Sequence, residues 1–160
     1  MADFYQTGMV TTLHRLHDNG FERLERELER FSETSPMALV LPALYSEFEN
    51  PAMRRIIGDL AGARYLSRIV VALARATEAE FRHARSMFRG FPQQVTFLWI
   101  DSEPIQSLFR LLDERGLTAG ADGKGRSCWL SYGYLLAAGD CDIIALHDCD
   151  IVNYDRQMLA

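Results

Sequence analysis

Apolar residues along the chain follow two kinds of pattern, short uninterrupted runs and wider helical spacings. Four runs, at residues 37–41, 69–73, 95–100 and 143–146, contain almost only apolar residues, and Pro42 is predicted to stop the first. Such runs predict strands buried on both faces of a parallel sheet. Between them, apolar residues recur at spacings of three and four, which predicts amphipathic helices. The alternation of the two patterns predicts an α/β fold, a mostly parallel sheet with helices on both faces.

Helix start signals support this order of elements. An Asn-Pro pair at residues 50–51 provides a cap and a first helical residue. A T-x-x-E capping box opens at Thr77, and Ser102 is predicted to cap the helix after the third strand. A glycine-rich loop at residues 116–126 precedes the last helix, which is predicted at about residues 127–138.

The first part of the chain differs from the rest. In FERLERELERF, residues 21–31, apolar side chains at positions 21, 24, 28 and 31 form one stripe between charged residues. This spacing predicts an amphipathic helix. We therefore divide the chain into an N-terminal helical arm, residues 1–35, and an α/β part, residues 36–160.

Composition and charge narrow the class of partner. The 160 residues are 48% hydrophobic and 24% charged, with a formal net charge of −5, which is ordinary for one globular domain. The negative charge argues against nucleic acid as a partner, and no apolar run reaches the roughly 18 residues of a membrane span. Cys128, Cys141 and Cys149 show no CxxC spacing, so reduced thiols and a cytoplasmic location are expected. A homodimer is left open.

Two aspartates directly follow the last apolar run. In IALHDCDIV, residues 144–152, strand alternation would send Asp148 and Asp150 to one side. Two carboxylates this close are costly unless a positive charge lies between them. A hard divalent cation fits, because magnesium takes one or two carboxylates together with phosphate oxygens and water. The alternative is a solvated acidic turn. His147 and Cys149 should point into packing, which argues against zinc.

Ligands of parallel sheets bind beyond the carboxyl ends of the strands, and three further segments follow such ends. In GKGR, residues 123–126, Lys124 lies between glycines that allow close approach and is suited to phosphate. The segment is neither a Walker loop nor a dinucleotide fingerprint, and by itself it matches a flexible surface loop better. In LPALYSE, residues 41–47, Glu47 could accept hydrogen bonds from a base or a ribose. Arg75 could meet phosphate or form a surface salt bridge.

In this order, LPALYSE, GKGR and IALHDCDIV resemble the glucosyl-3-phosphoglycerate synthase family and its mannosyl-3-phosphoglycerate-forming relatives, which are retaining glycosyltransferases of the Rossmann-like GT-A fold. The resemblance runs from about residue 37 to the end. It implies transfer of glucose, or mannose, from UDP-glucose, GDP-glucose or GDP-mannose to 3-phosphoglycerate or a similar small acceptor, with Mg²⁺ or Mn²⁺ as cofactor. Because family members continue further, it implies only the donor-binding part, residues 36–160, with catalytic residues beyond it.

The resemblance also implies roles for individual residues. The base-contacting serine expected after the second strand is replaced by Ala74-Arg75-Ala76, so the base is left open. Glu47 matches the acidic position of the family with an offset of one residue. The residues implied for the nucleotide sugar are Pro42, Ala43, Leu44, Glu47, Arg75, Lys124, Asp148 and Cys149. Asp150 and Asp148 are implied as metal ligands.

Two alternatives remain open. DCDIV also fits the first motif of haloacid-dehalogenase phosphatases, with Asp148 as nucleophile and Asp150 as acid, although that motif normally opens its domain. The chain could also be an inactive donor-binding module whose arm docks a partner. For the isolated chain we expect weak binding of nucleotide and metal, with little or no transfer.

Overall fold

The centre of the computed structural model, which describes residues 20–160, is a four-stranded parallel sheet. Its strands are β1 (Met37–Leu44), β2 (Leu66–Ala74), β3 (Gln94–Trp99) and β4 (Ile143–Leu146). They lie in the order β3-β2-β1-β4, and all three pairings are parallel. The predicted parallel sheet and its four strands are therefore confirmed.

Helices cover both faces of this sheet. They are α1 (Phe21–Ser32), α2 (Tyr45–Phe48), α3 (Pro51–Leu60), α4 (Glu78–Ser86), α5 (Glu103–Glu114) and α6 (Lys124–Ala138), with a final 3-10 turn at Arg156–Met158. Within residues 20–160, no helix has both the length and the apolar character that crossing a membrane requires.

Alternation along β1 divides the core between the two faces. Leu39 and Leu41 are fully buried in the larger cluster, which contains Met53 of α3. Val40 points the other way and packs in the cluster that contains Leu135 of α6. Because every side chain of a doubly covered strand is buried, the apolar run had no polar alternation.

The order of the strands determines where a ligand can bind. From β1 the chain proceeds outward through β2 to β3, and it then crosses back to place β4 on the other side of β1. The strand order thus reverses between β1 and β4. In open parallel sheets, the crevice beyond the carboxyl ends at such a reversal is the usual ligand site.

Strand β1 does not stop before Pro42, as was predicted, but continues to Leu44. The Val40 carbonyl accepts a hydrogen bond from the His147 N–H at 3.1 Å, so Val40 directs its backbone groups toward β4. Alternate residues of a strand direct their backbone groups to the same side, so Pro42 also faces β4. Strand β4 has ended at Leu146, and the missing N–H of Pro42 therefore breaks no ladder hydrogen bond.

The predicted helix starts are correct in position in three cases, at Asn50, Thr77 and Ser102, and wrong in one. The Asn50 side chain accepts from the Ala52 N–H at 3.0 Å, and the capping box at Thr77 is formed. The Ser102 hydroxyl instead donates to the Trp99 carbonyl at 2.6 Å and caps no helical N–H. Helix α6 begins at Lys124, three residues before the predicted start, because the preceding glycine adopts a φ of 151° that favours glycine.

The described part of the N-terminal arm packs on the α/β part. The Arg156 guanidinium donates to both carboxylate oxygens of Glu25, at 2.7 and 3.1 Å, and lies over the ring of Phe21. Leu28 packs against the larger core cluster. Residues 1–19 of the predicted arm lie outside the described residues, and the division at residue 35 stays a prediction.

Candidate functional site

A pocket of about 270 Å³ lies at the carboxyl end of the sheet, where the strand order reverses. All nine residues named above for the donor or the metal line it. They are Pro42, Ala43, Leu44, Glu47, Arg75, Lys124, Asp148, Cys149 and Asp150. Four segments that are far apart in the sequence therefore meet in one place, although the ligand role of each residue stays a prediction.

The end of β1 forms one wall of the pocket. Pro42 and Ala43 are buried, and Leu44 lies at the exposed rim. The chain then enters α2, whose first turn carries Glu47, and the Glu47 carboxylate accepts from the Leu44 N–H at 3.0 Å. This local hydrogen bond holds a half-buried carboxylate against the pocket.

Lys124 and Asp148 face each other across the pocket. Because Lys124 is the first residue of α6, its ammonium reaches the end of β4 and forms an ion pair with the Asp148 carboxylate. The hydrogen bond to Asp148 raises the pKa of Lys124, which keeps the ammonium charged. Both side chains are about half exposed, at 53% and 50%, so a ligand can reach either of them.

The two aspartates after β4 lie on either side of a buried residue. Asp148 and Asp150 are exposed, whereas Cys149 is 1% exposed and belongs to the larger core cluster. Burial strongly raises the pKa of the Cys149 thiol, which disfavours the thiolate that a zinc site needs. His147 packs on Tyr154 instead of facing the pocket. The predicted separation of acidic and packed side chains is correct.

The charge of the pocket fits a divalent cation. Burial raises the pKa of Glu47, and the nearby charges of Asp150 and Asp148 raise it further. Within residues 20–160, no positively charged side chain lies at salt-bridge distance from Asp150. The described residues hold no cluster of three His, Cys, Asp or Glu side chains placed to bind a metal by themselves. A cation here would need oxygen ligands from a substrate and from water, which is how magnesium is commonly bound.

Arg75 lines the pocket from the end of β2 in an unusual backbone conformation. Its φ of 55° lies in the left-handed region, which residues other than glycine seldom adopt. The next residue, Ala76, is held at both backbone groups, since its N–H donates to Asp101 and its carbonyl accepts from Trp99 Nε1. No salt bridge of Arg75 is present among residues 20–160, so the surface ion pair considered above is not found there.

Sequence reasoning missed Asp122 and Ser127, which also line the pocket. Asp122 forms an ion pair with Arg126, whose guanidinium lies 4.6 Å from the centre of the Phe109 ring. The i, i+4 spacing of Asp122 and Arg126 was visible in the sequence but fell inside a segment interpreted as a loop. Ser127 was hidden by placing the start of the helix at that residue.

Comparison with known proteins agrees with this arrangement. No family model matches the chain. A glucosyl-3-phosphoglycerate synthase from Persephonella marina is 49% identical over 160 residues, and one from Methanococcoides burtonii is 33% identical over 159 residues. The chain is related to part of glucosyl-3-phosphoglycerate synthase. It spans 40% of the length of the first relative and 38% of the second.

Solved structures of glucosyl-3-phosphoglycerate synthase have the same fold. The Mycobacterium tuberculosis enzyme in complex with Mn²⁺, UDP and glucosyl-3-phosphoglycerate has a TM-score of 0.55 at 21% identity, over 92% of this chain and 43% of that one. The same enzyme with Mn²⁺, UDP and phosphoglyceric acid has a TM-score of 0.52 at 20% identity, over 84% of this chain and 40% of that one. The predicted Rossmann-like α/β fold of the GT-A type is confirmed.

Proposed function

We propose that this chain supplies the donor-binding part of a metal-assisted, retaining hexosyltransferase. The donor is a nucleoside-diphosphate hexose, with glucose as the sugar and mannose as the alternative, and the acceptor is 3-phosphoglycerate or a similar small molecule. One observation supports this most directly: the end of β1, the start of α6 and the DxD after β4 line one pocket at the reversal of strand order. The names of the two relatives support the choice of sugar and acceptor.

Asp150 and Asp148 would hold Mg²⁺ or Mn²⁺ in this site. The excess of carboxylates in the pocket and the Mn²⁺ of the Mycobacterium tuberculosis complexes support this assignment. When bound, such a cation acts as a Lewis acid that stabilises negative charge on the diphosphate. The exposed Asp148 and Asp150 would reach it without moving Cys149 out of the core.

The remaining pocket residues would bind the donor. Breaking the bond between the anomeric carbon and the diphosphate oxygen leaves new negative charge on that oxygen. The Lys124 ammonium, already at the pocket, would donate hydrogen bonds to it, and Arg75 adds a second positive side chain. Such preorganised charge is often the largest contribution to catalysis. Glu47 would accept from ribose or base donors, beside Pro42, Ala43, Leu44 and Cys149.

The isolated chain should show binding more readily than transfer. It spans about two-fifths of its curated relatives, so we propose donor and metal binding, with weak or no transfer, as the activity measurable on these residues. We also propose a cytoplasmic location, which the three free cysteines support. A homodimer stays a prediction.

Titration calorimetry tests this proposal directly. UDP-glucose and GDP-glucose, each with and without Mn²⁺, are titrated into the folded chain, and we expect one of them to release heat that depends on Mn²⁺. Asp150→Asn should weaken that binding at least about tenfold, because an interaction with a charged group contributes about 1.5–3 kcal/mol. Asp142→Asn, the same change at an exposed position before β4, is the matched control and should leave binding unchanged.

Absence of heat with both donors, in a sample shown to be folded, contradicts the proposal. The phosphatase alternative is not favoured, because both relatives are named as synthases. Hydrolysis of p-nitrophenyl phosphate that disappears in Asp148→Asn would revive it.

A further inference from the structure

The segment that carries the two aspartates is attached to the sheet at its start. His147 lies one residue beyond β4, and its N–H still donates to the Val40 carbonyl of β1 at 3.1 Å. Asp148 therefore follows a residue whose backbone is held by the central strand. This fixes the direction in which the segment leaves the sheet.

The same segment is attached to the core at its far end by Tyr154. This tyrosine is fully buried and belongs to the larger core cluster. Its hydroxyl is hydrogen-bonded to His147, with 3.0 Å between Tyr154 Oη and His147 Nδ1, and the two rings meet edge to face. The two residues that flank the segment 148–153 therefore touch each other, which closes it into a loop.

From Asp148 to Val152, exposed and packed side chains alternate. Cys149 is buried, and Ile151 packs against the same core cluster. Asp148, Asp150 and Val152 remain exposed. Each carboxylate thus lies between packed neighbours, so its position depends on how the backbone of this segment is held against the core, by Cys149 and Ile151 within it and by His147 and Tyr154 at its ends.

We infer that Tyr154 is a positioning residue for metal binding: through its hydroxyl and His147, it holds the loop that presents Asp148 and Asp150. The inference rests on the proposed function, because it takes the two aspartates as metal ligands. Tyr154 does not line the pocket and touches neither aspartate through the contacts described. Residues hydrogen-bonded directly to a metal ligand typically contribute about 10–100-fold to metal affinity, and because Tyr154 acts through His147 we expect the lower end of that range.

Tyr65 provides a matched control for Tyr154. It is 2% exposed and lies in the same core cluster. Within residues 20–160, the buried Tyr65 hydroxyl has no hydrogen-bond partner. Tyr65→Phe and Tyr154→Phe therefore remove the same atom from the same core, but only the second breaks a contact with the aspartate loop.

The test measures Mn²⁺ binding to the full chain by electron paramagnetic resonance, in the presence of saturating UDP, alongside urea unfolding. We expect Tyr154→Phe to raise the dissociation constant for Mn²⁺ about tenfold and to broaden the signal of bound Mn²⁺. Tyr65→Phe should change the constant less than about twofold, since no ligand depends on its hydroxyl. His147→Leu removes the other partner of the same hydrogen bond, at a half-buried residue. This variant therefore tests the inference even if Tyr154→Phe does not fold.

The double variant separates positioning from general loosening. If Tyr154 acts through His147, then Tyr154→Phe adds no further loss of Mn²⁺ affinity to His147→Leu. Equal affinities in Tyr154→Phe and Tyr65→Phe, with Mn²⁺ bound by the unchanged chain, would overturn the inference and leave the proposed function standing. An unchanged, folded chain that binds no Mn²⁺ with UDP overturns both.

Discussion

Two side-chain ion pairs lie at opposite ends of the same sheet, and they differ in burial and in the number of hydrogen-bond partners of the positively charged side chain. At the amino end, the Arg68 side chain is 7% exposed and pairs with Asp140. It also donates to the Tyr134 hydroxyl at 2.6 Å and to the Gln94 side chain at 2.9 Å. At the carboxyl end, Lys124 and Asp148 pair with each other while each is about half exposed.

The difference separates a structural pair from a pair available to a ligand. A buried guanidinium must have its donors satisfied within the protein, because an unpaired buried charge is costly. The Lys124 pair faces a pocket with further carboxylates, so its charges can exchange partners with a bound cation and phosphate. The pair at the amino end is thus satisfied inside the protein, whereas the pair at the carboxyl end remains accessible from the pocket.

The largest expected effect is at the amino end. Asp140→Ala leaves the Arg68 guanidinium almost fully buried with only neutral partners. Because the Asp140 side chain is itself 44% exposed, the loss of stability should lie below that of a fully buried pair, at about 2 kcal/mol. Urea unfolding measures this as a lower midpoint at unchanged slope. Asp142→Ala, at an exposed aspartate two residues along the chain, is the control and should cost less than about 0.5 kcal/mol. Equal losses in the two variants would show that the pair at the amino end is not structural.

Lys124→Met should change ligand affinity more than it changes stability. Because the pair is half exposed, its loss should change the free energy of unfolding by less than about 1 kcal/mol. Affinity for UDP in the presence of Mn²⁺ should fall about tenfold, since a charged hydrogen bond to the diphosphate is lost. Affinity for Mn²⁺ without nucleotide should be kept or improved, because Asp148 loses a competing cation. A fall in Mn²⁺ affinity as large as that for UDP would contradict this division of roles; calorimetry measures both.

The smallest effect is the pH dependence due to Glu47. Burial and the neighbouring aspartates raise the pKa of Glu47, so the folded chain holds this proton more tightly than the unfolded chain does. The stability contributed by the group is therefore fully present below its ordinary pKa of 4.5 and is lost as pH rises through the folded pKa. In Glu47→Gln, the midpoint of urea unfolding should no longer decrease as the pH rises from 4.5 through the folded pKa.

Mn²⁺ provides a second check on Glu47, because a bound cation lowers the pKa of a neighbouring carboxyl group. The pH-dependent difference between the unchanged chain and Glu47→Gln should shrink when Mn²⁺ is present. Glu49→Gln, at an exposed glutamate two residues further on, is the matched control. If this pH-dependent difference instead grows with Mn²⁺, the bound cation does not lower the pKa of Glu47, and Glu47 is not close to the metal.

Features that depend on neighbouring residues could be predicted from the sequence. Uninterrupted apolar runs located the four strands, and the cap at Asn50 and the capping box at Thr77 located two helix starts. The spacing of Asp148 and Asp150 around Cys149 predicted which side chains would be exposed and which would be buried. In each case a local pattern of apolar side chains or side-chain hydrogen bonds determines the outcome.

Features that depend on distant residues were decided only by the tertiary structure. Strand β1 continues through Pro42 because β4 has already ended beside it, and the ionic partner of Lys124 lies 24 residues away along the chain. The placement of Asp122 in the pocket depends on Arg126 stacking over Phe109. Strand order is chosen by the burial of whole faces and by long-range pairing. The residue types of the site, and the edge of the sheet where they meet, could therefore be read from the sequence, but the strand order and the contacts between these residues could not.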